Sequence, residues 1–276
     1  MNLSYFKSLK LWKDSAELGA IILGIIASVM SIAGFSFADI FSNNNWVNRL
    51  GLIIASYVIF VFITLIVNVF NVKNGVTVKI RGITVNVKQG DIFKADGWKV
   101  IPFNEYFDTI VDDKIIAHST LNGIFITSHV EDIDDLRESI ANDDESLTLL
   151  KRSKKEERWV YPLGRIIAYQ DYMLLAFIFF NEQNMAHLSK SDYERCLMSM
   201  WKEVSRIYAG RPIFLPLLGS GITRFDDIPE KSNADLLRCM LCTLKTSGEN
   251  ISQPITILLT EAIMKEINIY EVKGIE

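Results

Sequence analysis

The chain has 276 residues, a formal net charge of −4 and an apolar balance, with a mean hydropathy of +0.20. The acidic balance argues against a nucleic-acid partner, which calls for a basic surface. Three cysteines are an odd number for a disulfide framework, and with only His118, His129 and His187, scattered along the chain, no metal site is expected. Cys239 and Cys242, three apart in one apolar run, are expected in the core.

No charge occurs from Leu18 to Ala38, and none from Leu50 to Val72. A bilayer core of about 30 Å needs roughly 20 helical residues, and both stretches meet that length. Buried core helices, or a signal peptide for the first stretch, are the alternatives. The tandem arrangement argues against both, as does the lack of an Ala-x-Ala cleavage site. Residues 1–72 are therefore predicted to form a two-helix transmembrane hairpin with spans at 18–38 and 50–72, and residues 73–276 a cytoplasmic domain. Lys7, Lys10 and Lys13 precede the first span, and Lys73, Lys79 and Arg81 follow the second. The link Asp39–Arg49, which includes Asn43-Asn44-Asn45, has Arg49 alone. The positive-inside rule then places both termini in the cytoplasm of a multi-pass cell-membrane protein. Ala20, Gly24, Ala27, Ser28 and Ser31 in the first span, and Gly51 and Ala55 in the second, allow close helix approach. They either close the hairpin within one chain or join hairpins from several chains. Thr64 and Asn68 fit interhelical hydrogen bonds or a pore lining.

From Val76 the pattern changes to period two. Val76–Ile80 and Ile83–Val87 flank an Arg81-Gly82 turn and predict two antiparallel edge strands. Gly90-Asp91-Ile92 follows, then a third strand over Trp98–Pro102. Asp112–Leu121 is ambiguous, Asn122-Gly123 signals a turn, and Ile124–Ile126 is a short apolar segment. The acidic run Glu131–Glu145 and the mixed, basic run Lys151–Arg158 read as solvated helix faces or loop insertions without chemistry. Arg165–Tyr169 and Met173–Phe180 predict two strands, the latter central in the sheet. Ser189 caps a helix running to about Ala209. Strand Ile213–Leu217, helix Asp235–Thr246, strand Ile255–Leu259, helix Glu261–Glu266 and a last strand Ile267–Val272 complete the chain. Alternation of this kind predicts an α/β fold with a largely parallel sheet and helices on both faces. Ligands in such folds bind beyond the carboxyl ends of the strands, where the loops Gly90–Phe93, Asn104–Phe107 and Gly219–Phe225 should meet. Gly219-Ser220-Gly221, between a strand and a helix, is either a plain turn or a backbone cradle for an anion.

Gly90-Asp91-Ile92 after an edge strand, Val100-Ile-Pro-Phe-Asn104 and Leu218-Gly-Ser-Gly-Ile222 come in an order that resembles a macrodomain, the three-layer α-β-α module with a mixed, mostly parallel sheet. With the hairpin in front, the whole chain resembles the membrane-type ThsA effectors of Thoeris antiphage defence. That resemblance implies a receptor for an ADP-ribose-type signal nucleotide, such as a cyclic or histidine-conjugated ADP-ribose. A TIR-domain partner makes the signal from NAD. Binding drives homo-oligomerisation and disruption of the lipid bilayer, and the infected cell dies. The resemblance places adenine on Asp91 and Ile92, the distal ribose or its substituent on Asn104, and the diphosphate on the N–H groups of Gly219, Ser220, Gly221 and Ile222. Glu105 and Thr223 join the expected ligand-binding set, with Arg224 as charge partner and Phe225 as stacking face. Hydrolytic macrodomains follow the first-loop Asn with a glycine run. Here Glu105-Tyr106-Phe107-Asp108 stands instead, and its bulk is expected to narrow the distal site and to favour binding without turnover.

No catalytic residue and no metal or cofactor is assigned. Two other readings remain open: a tethered ADP-ribosylhydrolase using Asn104, Glu105 or Asp108 to position water, and a domain that only docks a partner protein.

Overall fold

The computed structural model describes residues 3–35, 46–155, 157–180, 185–221, 223–227 and 232–274. These residues form two compact units, one drawn from Met1–Val76 and Lys265–Gly274, the other from Thr77–Met264.

In the first unit α1 spans Leu9–Ile32 and α2 spans Trp46–Val72. Ser8 caps α1, its hydroxyl accepting the Leu11 N–H at 3.3 Å, so the helix starts well ahead of its uncharged stretch. Most of the link, and the last three residues of the expected first span, lie outside the described residues. The helices meet at Gly19, where a Cβ would stand 3.1 Å from the backbone nitrogen of Val61. Thr64 donates to the Ser15 carbonyl at 2.8 Å and Asn68 Nδ2 to the Ser15 hydroxyl at 3.1 Å. These two polar residues therefore tie helix to helix. Beyond them, Gly24 and Gly51 have nothing within 4 Å of where a Cβ would stand, so neither packs the pair together. Ile25, Val29, Ile59 and Ile63 are among many apolar side chains left exposed. Both helices are long and apolar enough to cross a membrane.

The second unit begins with β1 (Gly75–Ile80), β2 (Ile83–Gln89) and β3 (Trp98–Asn104), followed by α3 (Leu121–His129) and α4 (Ile133–Ala141). A separate hairpin, β4 (Ser153–Lys155) and β5 (Arg158–Val160), precedes β6 (Ile166–Tyr169), β7 (Tyr172–Phe180) and β8 (Ala186–Leu188). Then come α5 (Lys190–Ile207), β9 (Ile213–Pro216), β10 (Arg224–Phe225), α6 (Asn233–Ser247), β11 (Ile255–Leu259) and α7 (Glu261–Glu266). The large sheet runs β1-β2-β11-β9-β3-β7-β8-β10, with β6 added beside β7. Strands β2, β11, β9, β3 and β7 are mutually parallel, while β6 and β8 run antiparallel to β7. Side chains alternate across a strand. Accordingly Leu174 and Ala176 of β7 join Phe125 of α3 and Leu136 of α4 in one core. Phe177 turns to the other face, against Tyr193 of α5 at 6.0 Å between rings. The result is a three-layer α-β-α domain with a mixed, mostly parallel sheet.

Three local expectations change. Asn122-Gly123 is not a turn but part of α3. Gly123 is there because a Cβ would lie 2.2 Å from the Ala117 carbonyl, and Thr120 caps the helix. The expected last strand, Ile267–Val272, is replaced by a 3-10 helix over Ile269–Gly274 that belongs to the first unit. Central β11 already has β2 on one side and β9 on the other, and Ile269, Tyr270 and Val272 are buried in the hairpin unit instead. There Tyr270 OH donates to Asp14 at 2.8 Å. Finally Cys242 is exposed and Cys239 half-buried, so neither is a full core residue.

Candidate functional site

Because β2, β11, β9 and β3 are parallel neighbours, the segments that follow β2, β9 and β3 leave the same edge of the sheet. At about 4.8 Å per strand, the end of β2 lies roughly 14 Å from the end of β3, with β9 between them. The structure therefore lines up Asp91, the Gly219 loop and Asn104 in that order along one edge.

At the first position Asp91 caps a short 3-10 helix over Ile92–Lys94, its Oδ1 accepting the Phe93 N–H at 3.1 Å. That bond uses one carboxylate oxygen, and the side chain is half exposed, with Lys94 3.8 Å from the other oxygen. Ile92 is buried beneath, and Phe93 stacks on His129 with ring centroids 4.1 Å apart.

At the far position the Asn104 side chain is engaged by its own loop. Its Nδ2 donates to Asp108 at 2.7 Å, and its Oδ1 accepts from the N–H groups of Tyr106 (3.2 Å) and Asp108 (3.1 Å). Asn104 thus shapes the turn rather than reaching outward to a ribose. Phe107, with φ +52°, points into the core against Phe103 and Tyr161, so its bulk does not narrow the site as expected. Tyr106 remains at the surface under Arg158, whose guanidinium lies 4.0 Å from the ring centroid and 2.5 Å from Asp108. Glu105 is fixed through its backbone: its N–H donates to Ile178 (3.0 Å) and its carbonyl accepts from Tyr161 (2.8 Å). Its carboxyl group is buried with Oε2 unpartnered, and that burial raises its pKa above the ordinary glutamate value against the pull of Tyr106, Lys155 and His187.

Between them Gly219 has φ +83°, a left-handed conformation that glycine takes without strain. A Cβ there would touch Phe225 at 3.4 Å. Tyr193 of α5 supports the loop from below, its OH donating to the Leu218 carbonyl at 3.0 Å. Ser220 closes a tight turn: its N–H (3.3 Å) and hydroxyl (2.7 Å) both bond the Leu217 carbonyl, so that N–H is not presented to an anion. Ile222 lies outside the described residues, Gly221 is exposed and Thr223 is buried. Arg224 and Phe225 form β10 beside β8, with Arg224 opposite His187 and its guanidinium near Met185 Sδ. Phe225 meets Tyr193 edge-on at 5.5 Å, which makes it a wall of the loop before it can be a stacking face. His187 pairs with Asp226 at 3.1 Å. Spacing alone singled out none of Tyr193, Arg158 and His187. Their signal is tertiary, arising from strands that meet only in the folded sheet. No cluster of metal-ligating side chains occurs among the described residues.

The family described as Thoeris protein ThsA, Macro domain, matches residues 85–260. Thoeris protein ThsA of Bacillus amyloliquefaciens (strain Y2) is 37% identical over 271 residues, covering 93% of this chain and 88% of that protein. Solved structures with a similar fold include a mutant Oceanobacillus iheyensis macrodomain (TM-score 0.47, 14% identity, 72% of this chain and 95% of that one). The same macrodomain with ADP gives a TM-score of 0.45 at 14% identity, over 72% and 94% of the two chains. A family match across most of the sheet domain, and identity to ThsA along nearly the whole length, lead to one conclusion: the chain belongs to the ThsA family of Thoeris defence proteins and carries that family's macrodomain.

Proposed function

We propose that this ThsA-family protein is a membrane effector whose macrodomain binds an ADP-ribose-type signal nucleotide made by a TIR-domain partner. Binding drives association of the hairpins with those of other copies, and the assembled helices disrupt the cell membrane and end the infected cell. Both termini and the macrodomain face the cytoplasm. The observation that carries this reading is the order of the three loops: a half-exposed carboxylate, a left-handed glycine turn and a buried carboxylate lie along about 14 Å of one sheet edge. A ligand with a base, a diphosphate and a distal sugar matches that order. Exposed Gly24 and Gly51 on two apolar helices support the assembly step, since small residues are where helices approach in lipid. A ligand drives assembly only by binding the assembled state more tightly.

The second reading, a tethered hydrolase, draws on Glu105, whose raised pKa suits a group that holds a proton. Against it, Asp108 is already committed to Asn104 and Arg158. The test is calorimetric titration of the full chain in lipid nanodiscs with ADP-ribose and its derivatives, followed by chromatography of the recovered ligand. Intact ligand, with binding weakened at least tenfold by Asp91→Ala, supports the receptor. A cleaved ligand replaces it with the hydrolase, and no binding of any such compound sinks both.

A further inference from the structure

We propose that the segment from Leu147 to Trp159 is a second, peripheral membrane contact through which the macrodomain rests on an anionic bilayer surface. Its chemistry is unlike the rest of an acidic chain. Lys151, Arg152, Lys154, Lys155 and Arg158 outnumber the two glutamates among them, and three leucines, Leu147, Leu149 and Leu150, and Trp159 frame the run. Leu149 is 96% exposed, Leu147 74% and Trp159 43%. Single exposed apolar residues are ordinary, but three within one short basic segment are not.

The exposure is built in. Thr148, between Leu147 and Leu149, is buried, and its hydroxyl donates to Glu203 of α5 at 2.8 Å. Glu203 also accepts from the wholly buried Arg165 at 2.8 Å. With Thr148 anchored inward, its neighbours on both sides are turned to solvent. Trp159 is held as firmly: Arg152 lies 4.5 Å and Lys154 5.3 Å from its ring centroid. Arg152 and Arg158 face Glu145 and Asp108, leaving Lys154 and Lys155 exposed on β4. Leucines to insert, an indole for the interface and lysines for lipid phosphates are the parts of an interfacial anchor.

A bilayer is the occupant that fits. Charge complementarity requires an anionic surface, and apolar tips among lysines suit the headgroup boundary better than a hydrated protein rim. The tether agrees, in a step that rests on the membrane reading of the hairpin. Two residues separate Val72 of α2 from Gly75 of β1, about 7 Å of extended chain. A domain so tethered cannot leave a bilayer that α2 crosses.

The experiment is hydrogen exchange on the full chain in nanodiscs of phosphatidylcholine alone or with phosphatidylglycerol. Slower exchange over residues 147–159 in the anionic discs is expected. Each lysine at such a surface contributes roughly fivefold to the association. Lys154→Glu with Lys155→Glu should therefore abolish the protection, and Leu147→Ser with Leu149→Ser should reduce it. All four positions are exposed, so the fold survives the changes. Equal exchange in both lipids overturns the proposal. So does protection that ignores lipid charge and grows with protein concentration, which identifies a second copy as the occupant. Exchange within α1 and α2 in the same samples reports the membrane reading separately.

Discussion

Glu203 accepts a hydrogen bond at 2.8 Å from Arg165, whose side chain is completely buried. Burial opposes ionisation of Glu203, but bonds from Arg206 and Thr148 and the charges of Arg206 and Arg165 hold its carboxyl below the ordinary value of 4.5. Asp143, which also pairs with Arg165, shifts upward because burial outweighs the pull of Arg165 and Arg206. Glu203, with several donors, is the carboxylate that stabilises the fold. Removing one member of a buried pair strands the other, so Glu203→Gln should cost about 3 kcal/mol in thermal unfolding.

The same group sets a pH dependence. A depressed folded pKa means stability fully present above 4.5 and lost as pH falls through the folded value. The wild-type chain should lose thermal stability on acidification below that point, and Glu203→Gln should show a smaller loss over the same window. Identical acid profiles for the two would show that folding does not shift the ionisation of Glu203.

Glu105 predicts the opposite sign. Its folded pKa is raised by burial, so its charged form costs stability at neutral pH, and the cost disappears as the carboxyl takes up a proton. Glu105→Gln should raise stability at neutral pH by about 1 kcal/mol, with the gain closing on acidification. The same variant should weaken binding of a ligand whose distal group donates to Oε2.

Gly219→Ala tests the central loop. At φ +83° an alanine is strained by roughly 1–2 kcal/mol, although its Cβ would make only ordinary contact with Phe225. Nucleotide affinity measured by calorimetry should fall. Ser220→Ala, which loses only the bond to the Leu217 carbonyl, should leave affinity within about threefold of wild type.

In the hairpin, Gly19→Leu should separate α1 from α2, because a Cβ at that point already crowds the Val61 backbone. Thr64→Val and Asn68→Leu should each cost about 0.6 kcal/mol of helix association. Spin-label distances between the two helices read both effects. An unchanged distance in Gly19→Leu would contradict the packing described here.

Much of the fold could be read ahead of the structure because period and burial speak locally. The uncharged stretches gave α1 and α2, period two gave β1 and β2, and the apolar run at Phe177–Phe180 gave a central strand. Errors arose where tertiary packing decides. Asn122-Gly123 has turn chemistry, yet its glycine answers a carbonyl in a neighbouring turn of the chain. Ile267–Val272 alternates like a strand, but its apolar residues Ile269, Tyr270 and Val272 are buried in a 3-10 helix of the hairpin unit instead. At the site, the meeting of three loops beyond the strand ends was legible from the glycines and strand ends, while their order along the edge comes from the strand order of the folded sheet. The internal commitments of Asn104 and Ser220 were not legible, since they depend on loop shape.

The return of Ile269–Gly274 to the hairpin unit has a topological consequence. The macrodomain is an insertion in a continuous smaller body, held at both of its ends. A single protease cut between Val72 and Gly75 breaks one tether and releases nothing, because Tyr270 still grips Asp14 through the other.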